Sequence, residues 1–396
     1  MVNITNFLQT FVIIWGGGTL INKGFPLNNF IYLITLLSLW LLTYILVINK
    51  SVGHFKRSLF VILTATVLLT LKTKSLMIFF VFFELRVIPI TLIIFLFGYQ
   101  PEKLQAAIAL LLYTVVSSLP LLLFVLYCEL SFISAVLSLP ITLRFIVKTP
   151  MYILHTWLPK AHVEAPIGGS IVLAGVLLKL GSYGLLIFLP FVKLNVLLIF
   201  YLSISLLGSA VCSIICFRSG DLKLLIAYSS VVHIGVVTLG FISGREIGLT
   251  CGLIIVIGHG LSSPFLFAHA YWIYTCSLSR LIINNSSPNP LLMVRIFGLV
   301  TLNIGVPPRL NVWAEVFLSN SLLSFMRSSL PLFITILFLG GAYNFFLYTS
   351  CIHGKFPMYF KSIEPMHQFS IYQVVFYGYS AFFCLDFFHV YFYYYD

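Results

Sequence analysis

Two acids and two bases stand in this chain where apolar sequence should exclude them. Glu84 lies in V-F-F-E-L-R-V-I-P-I and Lys179 in V-L-L-K-L-G-S-Y-G, each deep inside a long apolar run. At 1.5 Å per residue Glu84 is about 14 Å from the start of its run, close to the middle of a bilayer. Insertion scales put a central Lys or Asp at roughly 2.5–3.5 kcal/mol, so such residues persist by pairing or by lining water, and they mark function. Lys148 precedes Pro150 and Glu315 follows Pro307 and Pro308, so each sets an ionisable head beside interrupted backbone. Burial penalises the charged form of acid and base alike, which makes passing a proton along such a set cheap. Histidines could bridge the gaps: His233 in Y-S-S-V-V-H-I-G and His259 in G-H-G-L-S-S-P, with Ser262 and Ser263 on the same face. His155 and His162 flank Pro159 and are further candidates. Plainer roles exist for each: a snorkelling Lys179, a protonated structural Glu84, hydrogen-bonded core histidines. Arg86 stands two residues from Glu84, about 200° round a helix, so the two should not share a face and Arg86 needs another partner or water.

The elements that hold these residues can be read from composition. Hydrophobic residues make up 60% of 396 and charged residues 8%, too few charges to build an aqueous surface. This excludes a disordered chain, a coiled coil and a nucleic-acid binder, since the net charge of +12 is dispersed between apolar runs. The pattern predicts an all-α polytopic membrane protein. Cutting at charged, Pro-rich or Asn-rich breaks gives about thirteen helices: 4–21, 29–48, 57–71, 75–97, 104–127, 131–148, 167–190, 194–217, 222–242, 247–276, 291–325, 330–350 and 371–392. Of these, 57–71 and 131–148 are short and 291–325 is too long for one straight crossing. Short connections predict one antiparallel bundle, a single integral membrane domain over 1–396. It comprises N-terminal helices over 1–74, a core over 75–350 and a C-terminal helix over 351–396. Loop Lys and Arg number ten on the N-terminal side against six opposite, which sets that side towards the cytoplasm or matrix. The start, M-V-N-I-T-N-F-L, has neither a basic signal-peptide region nor an Arg-rich import pattern, so the first helix is expected to remain.

Residues 148–159, K-T-P-M-Y-I-L-H-T-W-L-P, and 306–315, V-P-P-R-L-N-V-W-A-E, resemble each other: proline, polar residues beside it, and a Trp a few residues on. Backbone broken at membrane depth is tolerated only where it is buried in protein or lines a cavity, and paired broken helices point to an ion path. No nucleotide fingerprint or Walker motif appears, and no cysteine cluster suits an iron–sulfur centre. Seven scattered cysteines form no C-x-x-C pair; Cys212 and Cys216 share a helix face as packing residues. No metal site or disulfide framework is expected.

The run L-H-T-W-L-P-K-A-H-V-E-A-P-I-G-G-S, then V-L-L-K-L-G-S-Y-G, D-L-K-L-L-I-A-Y-S-S-V-V-H and G-H-G-L-S-S-P-F-L-F, resembles the antiporter-like subunits of proton-pumping NADH–quinone oxidoreductase, over roughly residues 75–350. The resemblance implies two inverted five-helix repeats with broken helices. It also implies a glutamate paired with a lysine at the first break, a lysine on the next helix and a terminal residue at the second break. Here these are Glu84, Lys148, Lys179 and Glu315. In the mitochondrial enzyme the last is glutamate in chain 4 and lysine in chains 2 and 5, so Glu315 favours the chain 4 branch. By the same resemblance the chain would be a proton-translocating subunit of an NADH:ubiquinone reductase in the mitochondrial inner membrane, with no redox chemistry of its own. FMN, iron–sulfur clusters and ubiquinone would belong to other subunits. Partners would be membrane lipids and the neighbouring chains 2 and 5. The alternatives are a subunit of a multi-subunit cation/proton antiporter and a structural spacer. Three departures stand out: about one helix fewer than the family's fourteen, a short 127–148 connection, and Arg86 where the family has a small or apolar residue.

Overall fold

The computed structural model describes residues 27–48, 53–73, 75–127, 144–188, 195–277, 279–282, 290–306 and 310–352. The expected spans 4–21 and 371–392, and most of 131–148, lie outside these. The described residues are helical, with one isolated bridge, Asp221 to Leu281, in place of any sheet. In chain order the helices are α1 (Leu27–Ile48), α2 (His54–Lys72), α3 (Leu76–Leu85), α4 (Val87–Phe97), α5 (Lys103–Tyr127), α6 (Trp157–Glu164), α7 (Ile167–Val172), α8 (Leu178–Phe188), α9 (Asn195–Arg218), α10 (Leu222–Ile242), α11 (Glu246–Ser277), α12 (Pro290–Ile304), α13 (Leu310–Phe325) and α14 (Leu330–Ile352). A helical turn over 144–148 precedes α6, and a π turn, Leu173–Leu177, joins α7 to α8.

Eight helical segments among the described residues are long and apolar enough to cross a membrane, counting α3 with α4, and α7 with the π turn and most of α8. α10 is central: every residue but Leu224 and Tyr228 is buried. It packs along α9 on one side and α11 on the other, and α11 in turn packs on α13 and α7. α5 and α14 are peripheral. On α5 the exposed Leu104, Ile108, Leu111, Leu112, Val115, Leu119 and Leu123 repeat at three and four residues, while Ala106, Ala107, Leu110, Thr114 and Leu121 turn inward. An apolar stripe facing outward with small and polar residues inside suits a helix bathed in lipid, where packing rather than hydrophobicity holds helices together. Glycines permit the closest approach: a Cβ on Gly240 of α10 would lie 2.6 Å from the Gly248 carbonyl of α11.

Three expected boundaries change. The span 75–97 is interrupted at Arg86, which ends α3 and precedes α4. The short span 57–71 is a full crossing of 19 residues, because His54, Phe55 and Lys56 extend it at its N-terminus. The long run 291–325 divides into α12 and α13. Gly305, at φ 72°, closes α12 in the left-handed conformation that glycine adopts freely. The second break is therefore narrower than 306–315, since helix resumes at Leu310, and Pro307 and Pro308 lie outside the described residues.

Candidate functional site

At the first break, helix stops at Lys148 and restarts at Trp157. Pro150 has no N–H to offer the Ile146 carbonyl, which Met151 N–H takes instead at 3.2 Å. The Val147 carbonyl accepts the Trp157 indole N–H at 3.0 Å, which explains why a Trp follows the proline. Between them Ile153 sits at φ 80°, a region costly for a β-branched side chain. Lys223, at the start of α10, donates to the Val163 and Ala165 carbonyls at 3.3 and 3.1 Å and so caps the far end of α6.

The break delivers Lys148 to Glu84, 3.4 Å away. The expected pair is incomplete as stated, because Arg144 also grips Glu84 through a short hydrogen-bonded ion pair. Arg144 is wholly buried, and sequence reasoning missed it; its signal was a second cation one helical turn before Lys148. Arg86 stands in the same cluster but, as its place round the helix predicts, makes no ion pair with Glu84 and takes another partner. The helix interruption at Arg86 and its long side chain bring the guanidinium 3.8 Å from the Phe83 ring centre, with Nε donating to the Phe83 carbonyl at 3.0 Å. The Lys148 backbone packs against Gly181 on α8, where a Cβ would stand 3.0 Å from the Lys148 carbonyl oxygen.

Two residues from Gly181, Lys179 is buried on the inner face of α8. Its Nζ donates to the Ala174 carbonyl in the π turn and stands 2.9 Å from His259 Nδ1 of α11. Gly260 leaves the room this needs, since a Cβ there would be 3.0 Å from Lys179 Cε. The His259 ring lies 5.3 Å from that of His233 on α10, and each leaves its Nε2 without a hydrogen-bond partner. Ser263 does not reach the imidazole; its hydroxyl donates to the His259 backbone carbonyl at 2.8 Å, as serines in apolar helices commonly do.

Beyond His259, the Asn311 amide of α13 fills the space that a side chain on Gly258 would occupy. Its oxygen is buried and unpartnered. One turn on along α13, Glu315 places its carboxylate beside Gly305, within electrostatic range of Tyr343 on α14. Asn303 and Asn344 are hydrogen-bonded to each other at 3.0 Å. None of these asparagines, nor Tyr343, was singled out by sequence; an amide inside an apolar helix was the available clue. Of the remaining two candidates, His162 lies within electrostatic range of Lys179 and His259, whereas His155 packs among tyrosines. His155 stacks on Tyr152 at 5.2 Å, close to Tyr228. His162 stacks on Phe267 at 4.3 Å with both ring nitrogens unpartnered. Among the described residues no His, Cys, Asp and Glu group could hold a metal.

Among the described residues, a helical bundle with a line of buried and half-buried ionisable groups running past broken helices has the form of a membrane subunit of the antiporter type. The family described as NADH:quinone oxidoreductase/Mrp antiporter, transmembrane, matches residues 73–342. A chain of respiratory complex I from Thermus thermophilus shares the fold with a TM-score of 0.77 at 22% identity, covering 90% of this chain and 83% of that one. A chain of the Mrp complex of a Dietzia species does so with a TM-score of 0.72 at 18% identity, covering 83% and 67%. NADH-ubiquinone oxidoreductase chain 4 of Ceratitis capitata is 39% identical over 90% of this chain and 86% of its own length. The chain belongs to the NADH-ubiquinone oxidoreductase chain 4 family.

Proposed function

We propose that this chain is a proton-translocating membrane-arm subunit of respiratory complex I in the mitochondrial inner membrane. It works as one integral membrane domain whose core spans 75–350, with FMN, iron–sulfur clusters and ubiquinone held by other subunits and chains 2 and 5 as neighbours. Quinone reduction elsewhere sends an electrostatic disturbance along the membrane arm. It shifts the Glu84–Lys148 pair, alters the hold of Lys179 on its proton, and moves that proton by way of His259 or His233 towards Glu315. His155 and His162 are further candidates for the same pathway. The observation that carries this reading is the Lys179–His259 contact of 2.9 Å in a helix that pays for a buried lysine.

Lys179→Met tests it. The expected result is an assembled complex that still oxidises NADH in part but no longer acidifies vesicles, read by a pH-sensitive dye; full pumping by an assembled variant would overturn the reading. The fold shared with the Mrp complex favours a second reading, a cation/proton antiporter subunit. A mild-detergent native gel stained for NADH dehydrogenase decides between them. Co-migration with the active band supports complex I, and migration elsewhere with sodium-dependent proton flux supports the antiporter.

A further inference from the structure

Around Glu84 the cations outnumber the acid. Arg86, Arg144 and Lys148 hold their charged heads 3.8, 4.8 and 5.1 Å from the Phe83 ring centre, and Glu84 is the one carboxylate among the described residues paired with any of them. Guanidinium groups remain charged in proteins. With Glu84 balancing Arg144, Arg86 keeps a buried positive charge whatever the state of Lys148. Buried charges without an anionic partner are costly, more so at membrane depth.

Arg86 is 2% exposed and its Nη1 has no hydrogen-bond partner; Lys148 Nζ, although near Glu84, makes no well-directed hydrogen bond either. Both side chains line one cavity of about 30 Å³, together with Thr114, Trp157, Val87 and Leu173. A water needs about 10–15 Å³ of such space, so this half-open cavity has room for two waters or one small ion. The Thr114 hydroxyl already donates to the Leu110 carbonyl, and the Trp157 N–H to the Val147 carbonyl. What remains unused is two cationic donors in apolar walls. A water there would have few acceptors for its own protons, whereas a monatomic anion accepts from both donors and cancels the unpaired charge.

We propose that the Arg86–Lys148 cavity binds a small inorganic anion of the halide class, chloride in ordinary salt, as the counter-ion of the cluster around Glu84. The site is separate from the proton-transfer reading, and its test reads density rather than pumping. The assembled complex is purified in lipid nanodiscs in sodium chloride, sodium iodide and sodium gluconate, and density maps are compared. The expected result is a peak between Arg86 Nη1 and Lys148 Nζ that is strongest in iodide, weaker in chloride and lost in gluconate. In Arg86→Leu the peak disappears in iodide and in chloride as well. A peak of equal height in every salt, which is water, would overturn the proposal. A neighbouring subunit's carboxylate or a lipid phosphate reaching Arg86 would overturn it as well. The comparison of salts on the unaltered complex decides even where Arg86→Leu fails to assemble.

Discussion

Gly260 gives Lys179 the room to approach His259. Lys179 reaches His259 only because Gly260 carries no side chain, and a methyl there would press on Lys179 Cε from 3.0 Å. Displacing a side chain from its rotamer costs roughly 0.5–1.5 kcal/mol, which corresponds to about a twofold to tenfold change in rate. Gly260→Ala is therefore expected to lower proton pumping per NADH oxidised by that factor while assembly is unchanged, measured in sealed membrane vesicles. Glu84 provides a second prediction at this scale. Glu84→Gln removes the one acid from three cations; breaking a buried pair costs about 3–5 kcal/mol, and the partial exposure of Glu84 sets the cost towards the low end, so less assembled complex is expected on a native gel. Adding Arg144→Leu removes the stranded charge and should restore assembly without restoring pumping. Were the double variant no better assembled than the single one, the Glu84–Arg144 pair would not be what holds the first break in place.

At the scale of elements, the breaks and glycine contacts decide which groups meet. α10 and α11 approach at Gly240, Gly248 and Gly252, with the Gly248 carbonyl 2.6 Å from where a Gly240 Cβ would sit. A larger residue must push the helices apart and carry His233 away from His259. Overpacking of this kind costs typically 1–3 kcal/mol, so Gly240→Leu is expected to reduce both the melting temperature of the complex in detergent and its pumping. Gly53, whose surroundings are open, is the control, and Gly53→Ala should leave both unchanged. The first break was legible as an element because proline and the Trp donor are local in sequence. Its partner helices were not: Arg144 meets Glu84 from 60 residues away, and no periodicity reports that.

Across the whole molecule, burial sorts the helices into a polar-lined centre and an apolar rim. Phe338 on α14 is 75% exposed, on the same rim as Ile334 and Phe345. A lysine placed there near mid-span costs roughly 2.5–3.5 kcal/mol. Phe338→Lys is thus expected to deplete the assembled complex in a blot of native gels, while Phe338→Leu is tolerated. Sequence alone determined that the chain is a helical membrane protein, where most of its crossings run, and that Glu84, Lys148, Lys179 and Glu315 are out of place in them. Apolar length and misplaced charge are local quantities, readable residue by residue. Only the tertiary structure decided that Lys179 meets His259 and that Asn311, one turn before Glu315, packs on Gly258, the neighbour of His259 in sequence. It also decided that Arg86 and Arg144 crowd onto Phe83 with Lys148. Those outcomes depend on how helices far apart in sequence turn and approach one another, which packing at glycines sets and which hydrophobic pattern leaves open.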